Sequence, residues 1–218
     1  MDDDRNFLFV ITHGRSGSTL LQGVLNSIPG YSICGENMDA CQHLYSFYKS
    51  WKNSIDSFHN NSMPVDGRNS WYQVADFNLL KLSCRNLVWN LCACHDTMVT
   101  GFKEIRWRSH LDKDFYRYLF WFNEVFCPRF IFLTRDLDET CQSAWFKGNP
   151  NCKNILQDFN RQVSDFFITH SYINCFHLDL GKLHGGVAPE KFKLLFDWLG
   201  EEYIEGKVQK VLDRKWGY

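Results

Sequence analysis

The sequence predicts an α/β fold with three layers, α/β/α, in which helices cover both faces of a central parallel sheet. The main observation is an alternation along the chain of short segments rich in β-branched and aromatic residues with longer segments of helical apolar spacing. The second is the length of 218 residues, which suits one domain with a full hydrophobic core. Residues 1–218 are therefore predicted to form a single domain.

The predicted elements follow from apolar runs and from the residues that end them. In chain order they are a strand at 7–12, a helix at 19–27, a strand at 31–34, a helix at 76–92, a strand at 98–105, a helix at 114–126, a strand at 130–134, helices at 137–147 and 154–171, a strand at 173–178 and a helix at 189–199. Pro29, Pro128 and Gly200 mark helix ends, because proline cannot continue a helix and glycine commonly ends one. Parallel strands joined by helices imply right-handed crossovers.

One segment, at about residues 43–75, departs from this alternation. It is polar and aromatic and has no clean period, so it is predicted to be an irregular, partly helical insertion and a candidate substrate-facing lid. Four of its aromatic side chains could stack on a sugar or on an aromatic ring. They are Trp51, Phe58, Trp71 and Tyr72.

Composition and charge exclude several functional classes. Lys and Arg number 24 against 25 Asp and Glu, so no net field attracts nucleic acid or an acidic membrane. The longest apolar run, residues 7–11, is too short to span a membrane, and residues 2–4 are acidic where an export signal would be basic. Nine cysteines without paired spacing predict reduced thiols and a cytoplasmic location. The cysteines and histidine at residues 92–95 lack the further ligands of a structural zinc site, so no metal is predicted.

A glycine-containing loop lies between the first predicted strand and the first predicted helix. Its residues are Gly14, Arg15, Ser16, Gly17, Ser18 and Thr19. Backbone N–H groups converge at the start of a helix, where the helix dipole is positive, and glycine lets the backbone approach a ligand closely. Hydroxyl donors and the permanent charge of Arg15 add to this, so the loop is a predicted phosphate site. A serine-rich turn that caps the helix is the alternative.

A second anion site is predicted further along the chain. Arg135 follows the strand at 130–134, and Ser143 comes eight residues later in the following predicted helix. Lys147 lies one turn beyond Ser143 on the same helical face, so three donors could point in one direction. An arginine at the end of a strand is by itself more often simply solvated, and the spacing to Ser143 is what favours a site.

Both segments resemble those of one enzyme family. The run Arg-Ser-Gly-Ser-Thr-Leu-Leu at residues 15–21 resembles the 5′-phosphosulfate loop of sulfotransferases that use 3′-phosphoadenosine 5′-phosphosulfate (PAPS), in the form found in the tyrosylprotein and trehalose-type branches. The arginine and serine eight positions apart resemble the 3′-phosphate element of the same family. The resemblance implies a fold like that of P-loop nucleotide kinases, PAPS as the donor, its desulfated form PAP as the product, and no metal.

The resemblance also implies roles for individual residues. Residues 16–19 would hold the 5′-phosphate, while Arg15 would neutralise charge on the bridging oxygen as the bond to sulfur breaks. Arg135 and Ser143 would bind the 3′-phosphate, and Lys147 stands where the tyrosylprotein branch has a further basic residue. Two matching segments in the right order are more specific than either one alone.

Sulfuryl transfer also needs a base for the acceptor proton. Glu36 lies beyond the loop at the distance where both branches have a glutamate assigned as catalytic base, so Glu36 is the predicted base, with Glu104 as a second candidate. Lys103 stands near a lysine that contacts the reacting sulfonate in the tyrosylprotein branch. An ion pair with Glu104 is the alternative for Lys103, and Arg106 could face the acceptor.

The predicted function is therefore transfer of a sulfuryl group from PAPS to a hydroxyl of a glycan, a small molecule or a tyrosine. A P-loop kinase or NTPase is one alternative, but Ser18 stands where the Walker A pattern has lysine, and only Thr19 fits a magnesium ligand. A nucleotide-binding module without catalysis is the other alternative. The presence of Arg15, Glu36 and the Arg135–Ser143 pair weighs against it.

Overall fold

Five parallel strands form the centre of the computed structural model, which describes residues 5–60, 77–107, 115–184 and 186–214. They are β1 (Asn6–Ile11), β2 (Tyr31–Cys34), β3 (Val99–Glu104), β4 (Arg129–Thr134) and β5 (Cys175–Asp179). Their order across the sheet is β2-β3-β1-β4-β5, and every pairing is parallel. Each strand lies close to its predicted position, and the predicted three-layer α/β/α fold is confirmed.

Helices cover both faces of the sheet. They are α1 (Ser18–Leu25), α2 (Ala40–Asn60), α3 (Phe77–Cys92), α4 (Phe115–Phe126), α5 (Leu137–Gln142), α6 (Cys152–Thr169), α7 (Glu190–Leu199) and α8 (Glu205–Leu212). The short helix α8 has no predicted counterpart. It buries only Val208 and Val211, which is too weak a pattern to identify from sequence.

The segment predicted to be irregular and partly helical is helical, and regular, where the structure describes it. Residues 43–60 belong to the regular helix α2, which buries Cys41, Tyr45 and Tyr48 at helical spacing. Exposed aromatic side chains elsewhere on the helix, Phe47 and Trp51, hide this period in the sequence. The rest of the segment, with Trp71 and Tyr72, lies outside the described residues, as does the side chain of Phe58, so the lid remains a prediction.

Alternating side chains of the sheet enter two separate apolar cores. On one face Phe9 and Phe130 pack with α4 and α6, and on the other Leu8 and Val10 pack with α1 and α7. All four are completely buried, which explains why β1 has an uninterrupted apolar sequence. The carboxyl ends of the strands meet at one edge of the sheet, and the loops that follow β1, β2, β3 and β4 carry the predicted site residues.

The contact between β1 and β3 depends on Gly101. It pairs with Leu8, and a Cβ at Gly101 would lie 1.8 Å from the Leu8 carbonyl oxygen. We therefore expect Gly101→Ala to lower the free energy of unfolding by about 3 kcal/mol, measured by urea denaturation. Gly206→Ala is the matched control, because Gly206 lies in α8 with open space around it, and it should raise stability by about 0.5 kcal/mol. Equal stability of Gly101→Ala and the unmodified protein would contradict this account.

One disulfide joins α5 to α6, the two helices that follow β4. Cys141 near the end of α5 is bonded to Cys152 at the start of α6, with 5.8 Å between their Cα atoms. The prediction that the cysteines are reduced thiols is therefore wrong for this pair, and the predicted cytoplasmic location loses that support. Spacing did not identify the pair, because the two cysteines are brought together by the fold rather than by a sequence motif.

Among the described residues, none of the helices has the length and apolar character of a membrane span.

Candidate functional site

The loop between β1 and α1 has the backbone shape of an anion site. Arg15 and Gly17 both have positive φ angles, 64° and 88°, so the chain turns sharply before α1 begins at Ser18. A Cβ at Gly17 would lie 2.8 Å from a methyl carbon of Leu180, which is why glycine is needed there. No described side chain caps α1, and its first turn holds no acidic residue. The N–H groups at the start of α1 can therefore bind an anion.

Two buried serine hydroxyls have no hydrogen-bond partner among the described residues. Ser16 lies in this loop and is completely buried, and Ser143 directly follows α5. Leaving a buried hydroxyl unsatisfied costs about 1–3 kcal/mol, so such groups usually have a ligand or a water as their partner. These two hydroxyls belong to the two segments predicted as phosphate sites, and both suit the oxygen atoms of a phosphorylated ligand.

Arg135 connects the two segments. It is 6% exposed, and its Nη1 donates a hydrogen bond of 2.8 Å to the backbone carbonyl of Arg15. Its Nε and Nη2 donate to Glu139 Oε2 at 3.3 and 2.6 Å. A guanidinium has five N–H donors, so two remain for a ligand, although Glu139 already balances the charge. The fold thus brings the two predicted phosphate segments into direct contact.

The structure corrects the predicted helix at 137–147. The helix α5 ends at Gln142, and Ser143 has an extended backbone with φ −61° and ψ 151°. Ser143 and Lys147 therefore lie in the connection to α6, where Lys147 is exposed. Gly148 and Pro150, which follow, cannot extend a helix easily, and this signal was present in the sequence. The prediction that Arg135, Ser143 and Lys147 point in one direction from a helix is therefore wrong. That each of them binds a phosphate stays a prediction.

Glu139 was not identified from the sequence, although it positions Arg135. Its carboxylate also accepts hydrogen bonds from the backbone N–H groups of Leu183 and His184, at 2.8 and 3.2 Å. Burial raises the pKa of Glu139, but the hydrogen bonds from Arg135, Leu183 and His184 outweigh it and lower the pKa to about 2. The pairing of an arginine with a glutamate four residues later in a helix was the available sequence signal.

This pKa predicts a pH dependence of stability. Because the carboxylate titrates near 2 in the folded protein and near 4.5 when unfolded, its stabilising effect is complete above pH 4.5 and is lost as the pH falls toward 2. We expect the stability difference between the unmodified protein and Glu139→Gln, on the order of 2 kcal/mol at pH 7, to shrink below pH 4.5. Urea unfolding of both proteins from pH 7 to pH 3 measures it, and a difference independent of pH would contradict the assignment.

Two of the three predicted catalytic residues, Glu36 and Lys103, form a charged cluster with Arg106 at the ends of β2 and β3, whereas Arg15 lies in the glycine loop. Glu36 Oε1 lies 2.6 Å from Lys103 Nζ, and Glu36 Oε2 lies 3.2 Å from Arg106 Nη1. The ammonium side chain is almost buried, whereas the side chain of Glu36 is 28% exposed. The partner of Lys103 is thus Glu36 rather than Glu104, the alternative considered from the sequence. One carboxylate with partial access to solvent is held between two cations.

Glu104 has a different environment. Its Oε1 accepts hydrogen bonds from the backbone N–H groups of Ile105 and Arg106 and from Arg106 Nη1, at 2.7, 3.0 and 3.1 Å. Its Oε2 accepts from the N–H groups of Asn37 and Asp39, both at 3.2 Å. The residue is 2% exposed. Glu104 therefore holds the turn after Glu36 in place. Burial lowers the pKa of Arg106, but its hydrogen bonds to Glu104 and Glu36 outweigh burial and raise the pKa above its ordinary value.

A cavity of about 140 Å³ joins the glycine loop to the charged cluster. Its lining residues are His13, Gly14, Ile105, Arg106, Trp145, Phe146 and Leu156. A Cβ at Gly14 would lie 3.7 Å from the ring of Trp145, so the segment that carries Ser143 packs against the glycine loop. Trp145 and Phe146 have no predicted site role, because aromatic residues are common in a chain with 17% aromatic content and give no specific signal.

The remaining predicted site residues vary in exposure. Gly14 and Ser18 are buried, Arg15 is half-buried and Thr19 is exposed. These residues and the hydroxyls of Ser16 and Ser143 provide donors of the kind that bind phosphate oxygen atoms. The described part of the chain holds no group of three or more His, Cys, Asp or Glu side chains arranged for a metal ion.

Fold and loop together define an α/β/α protein with a candidate anion site at the carboxyl edge of its sheet. No family model and no curated protein matches the sequence. Several solved structures are similar to the chain, among them two enzymes of different activity. One is a sulfotransferase from Mycobacterium avium, with 13% identity, a TM-score of 0.44, and coverage of 95% of this chain and 68% of that chain. The other is a thymidylate kinase from Candida albicans, with 15% identity, a TM-score of 0.40, and coverage of 90% and 92%. Both likenesses are weak, and the fold assignment rests on the sheet itself.

Proposed function

We propose that the chain is a sulfotransferase that moves a sulfuryl group from PAPS to a hydroxyl of an acceptor. The observation that carries this proposal is the pair of buried serine hydroxyls without partners, Ser16 and Ser143, in two segments joined by the hydrogen bond from Arg135 to Arg15. A ligand with two phosphate groups satisfies both hydroxyls. A ligand with phosphate at one end only leaves one of them unsatisfied.

The loop residues bind the 5′ end of the donor in this proposal. The N–H groups of α1 and the hydroxyls of Ser16, Ser18 and Thr19 donate to the 5′-phosphate, while Gly14 and Gly17 allow its close approach. Arg15 balances the charge that develops on the leaving phosphate. The donor itself supplies a sulfuryl group that is already activated for transfer.

The 3′-phosphate is bound by groups on the other side of the loop. Ser143 Oγ and the two remaining N–H groups of Arg135 donate to it, and Lys147 adds a positive charge. The contribution of Arg135 is mainly directional, because Glu139 already balances its charge. This binding distinguishes the donor from nucleotides that carry phosphate only at the 5′ end.

Glu36 is the proposed general base. Lys103 and Arg106 each bind one of its oxygen atoms, which fixes the carboxylate in position and keeps it partly accessible to an acceptor. Glu104 suits this role less well, since five hydrogen bonds from the surrounding chain occupy its two oxygen atoms. Glu36 takes the proton of the acceptor hydroxyl as sulfur is transferred, and Lys103 stabilises the charge.

Calorimetric titration with PAP, adenosine 5′-monophosphate (AMP) and ATP with magnesium tests this proposal. We expect PAP to bind at least about tenfold more tightly than AMP, because the 3′-phosphate adds charge-assisted hydrogen bonds. Tighter binding of ATP with magnesium would instead favour a P-loop kinase. Tight PAP binding without transfer of labelled sulfate to any of a panel of glycans, phenols and tyrosine peptides would favour a nucleotide-binding module.

A further inference from the structure

The disulfide closes a loop that forms one wall of the proposed donor site. We call residues 142–151, between Cys141 and Cys152, the bridged loop. It contains Ser143, whose buried hydroxyl has no partner among the described residues. It also contains Trp145, which lines the cavity beside Gly14. The position of the bridged loop therefore determines where Ser143 Oγ lies relative to the glycine loop.

The backbone hydrogen bonds of the bridged loop are local. The N–H groups of Phe146 and Lys147 donate to the Ser143 carbonyl at 3.0 and 2.9 Å, and the N–H of Asn149 donates to the Phe146 carbonyl at 3.0 Å. The N–H of Cys152 donates to the Asn149 carbonyl at 3.1 Å. Such turns fix the internal shape of a loop but do not fix its position on the rest of the protein.

Hydrogen bonds hold the first part of the helix before the bridged loop to the rest of the protein, since the Asp136 N–H donates to the Gly181 carbonyl at 3.1 Å and Glu139 accepts from Leu183 and His184. In its first turn Asp136 Oδ1 accepts from the Glu139 N–H at 2.9 Å, and Thr140 Oγ1 donates to the Asp136 carbonyl at 2.8 Å. The helix α5 has only six residues, which is too short to be stable by itself. At its last turn, where Thr140 is completely buried, the disulfide bonds Cys141 to α6.

A second link between α5 and α6 is weak. Asp138 Oδ1 lies 2.7 Å from Lys153 Nζ, but their side chains are 65% and 54% exposed. Solvent screens an exposed pair of this kind, so it restrains the helices little. The disulfide is therefore a stronger link between α5 and α6 than the ion pair of Asp138 with Lys153.

We propose that the Cys141–Cys152 disulfide is a positioning element for the 3′-phosphate half of the donor site, an inference that rests on the proposed function. With the bond intact, Ser143 is held in place before the donor arrives. With the bond open, the bridged loop samples other positions, and ordering it opposes binding. The effect is larger for ligands with a 3′-phosphate, because Ser143 lies within the bridged loop, whereas the N–H groups at the start of α1 lie outside it and touch it only through the packing of Trp145 on Gly14.

An external dithiol opens the bond by exchange. Cys141 is half-buried and Cys152 is buried, so a thiolate of the reagent attacks the sulfur of Cys141, and the sulfur of Cys152 leaves and takes up a proton. The second thiol of the reagent then attacks the mixed disulfide and releases the Cys141 thiol. Two electrons and two protons pass to the protein, and the dithiol becomes a cyclic disulfide.

The test compares PAP with AMP on the oxidised protein, on the dithiothreitol-reduced protein and on the double variant Cys141→Ser/Cys152→Ser. Calorimetry is done at a temperature at which circular dichroism shows all three folded. We expect the Kd for PAP to rise about tenfold on reduction and in the variant, while the Kd for AMP changes by less than about twofold. Reoxidation should restore the affinity for PAP. The double variant Cys94→Ser/Cys127→Ser, which lacks two exposed free thiols, is the control and should respond to dithiothreitol as the unmodified protein does.

Three results would overturn the inference, and they differ in what they say about the function. Equal loss of affinity for both nucleotides would make the disulfide a general support of the fold, and an unchanged affinity for both would give it no role in the site. The proposed function stands in both cases. Equal binding of PAP and AMP to the oxidised protein would overturn the proposed function together with the inference.

Discussion

Replacing Glu36 with glutamine is expected to lower turnover by about 10²- to 10⁴-fold and to leave the affinity for PAP unchanged. Glutamine has the same size, and its amide oxygen still accepts a hydrogen bond from Lys103 Nζ or Arg106 Nη1. It cannot take a proton from an acceptor hydroxyl. Turnover is measured as transfer of labelled sulfate to the best acceptor of the panel, and affinity is measured by calorimetry with PAP.

Two further variants make this test specific. Glu124→Gln removes a carboxylate that is paired with Lys81 away from the cluster, so it should retain full turnover. Glu104→Gln should lower stability rather than turnover per folded molecule, because the five hydrogen bonds to Glu104 hold the turn after Glu36. Normal turnover of Glu36→Gln would refute the assignment. A folded Glu104→Gln protein without turnover would make Glu104 the base.

The centre of the sheet could be predicted from the sequence because β1, β3 and β4 are buried on both faces. Such strands are short, continuous apolar runs, as in β1 and β4, and they alternate with helices whose apolar face is regular. The helix α2 could not be identified in this way, because Tyr45 and Tyr48 face the core while Trp51 is exposed. Its hydrophobic period is visible only when it is known which aromatic side chains are buried.

The site was predictable where local backbone geometry determines it and less so where the fold assembles it. The positive φ of Gly17 follows from a glycine loop at a helix start. The contact of Arg135 with Arg15 joins residues 120 positions apart, and no local pattern specifies it. The same holds for the disulfide and for the pairing of Glu36 with Lys103 and Arg106. Glu139 illustrates a third case, since its spacing from Arg135 was visible but its importance depends on backbone N–H groups from a distant loop.

A large effect is also expected at Arg15, where Arg15→Asn should lower kcat by about 10²- to 10³-fold. Charge on the leaving phosphate develops as the bond to sulfur breaks, so a cation beside it stabilises the transition state more than the bound donor. The Kd for PAP should therefore rise much less, by about tenfold. Asparagine suits this position because the backbone φ is 64°, an angle that asparagine adopts more readily than most residues. The backbone carbonyl that accepts the hydrogen bond from Arg135 is retained.

The comparison of kcat with Kd separates two roles for Arg15. If kcat and the affinity for PAP fall by the same factor, Arg15 binds donor and transition state equally, and its proposed role in the chemical step is wrong. If neither changes, Arg15 is not part of the site. Arg117→Asn makes the same change in charge at an exposed side chain on α4, and it should leave both quantities unchanged. A loss in this control would show that the net charge of the protein, rather than the position of Arg15, accounts for the effect.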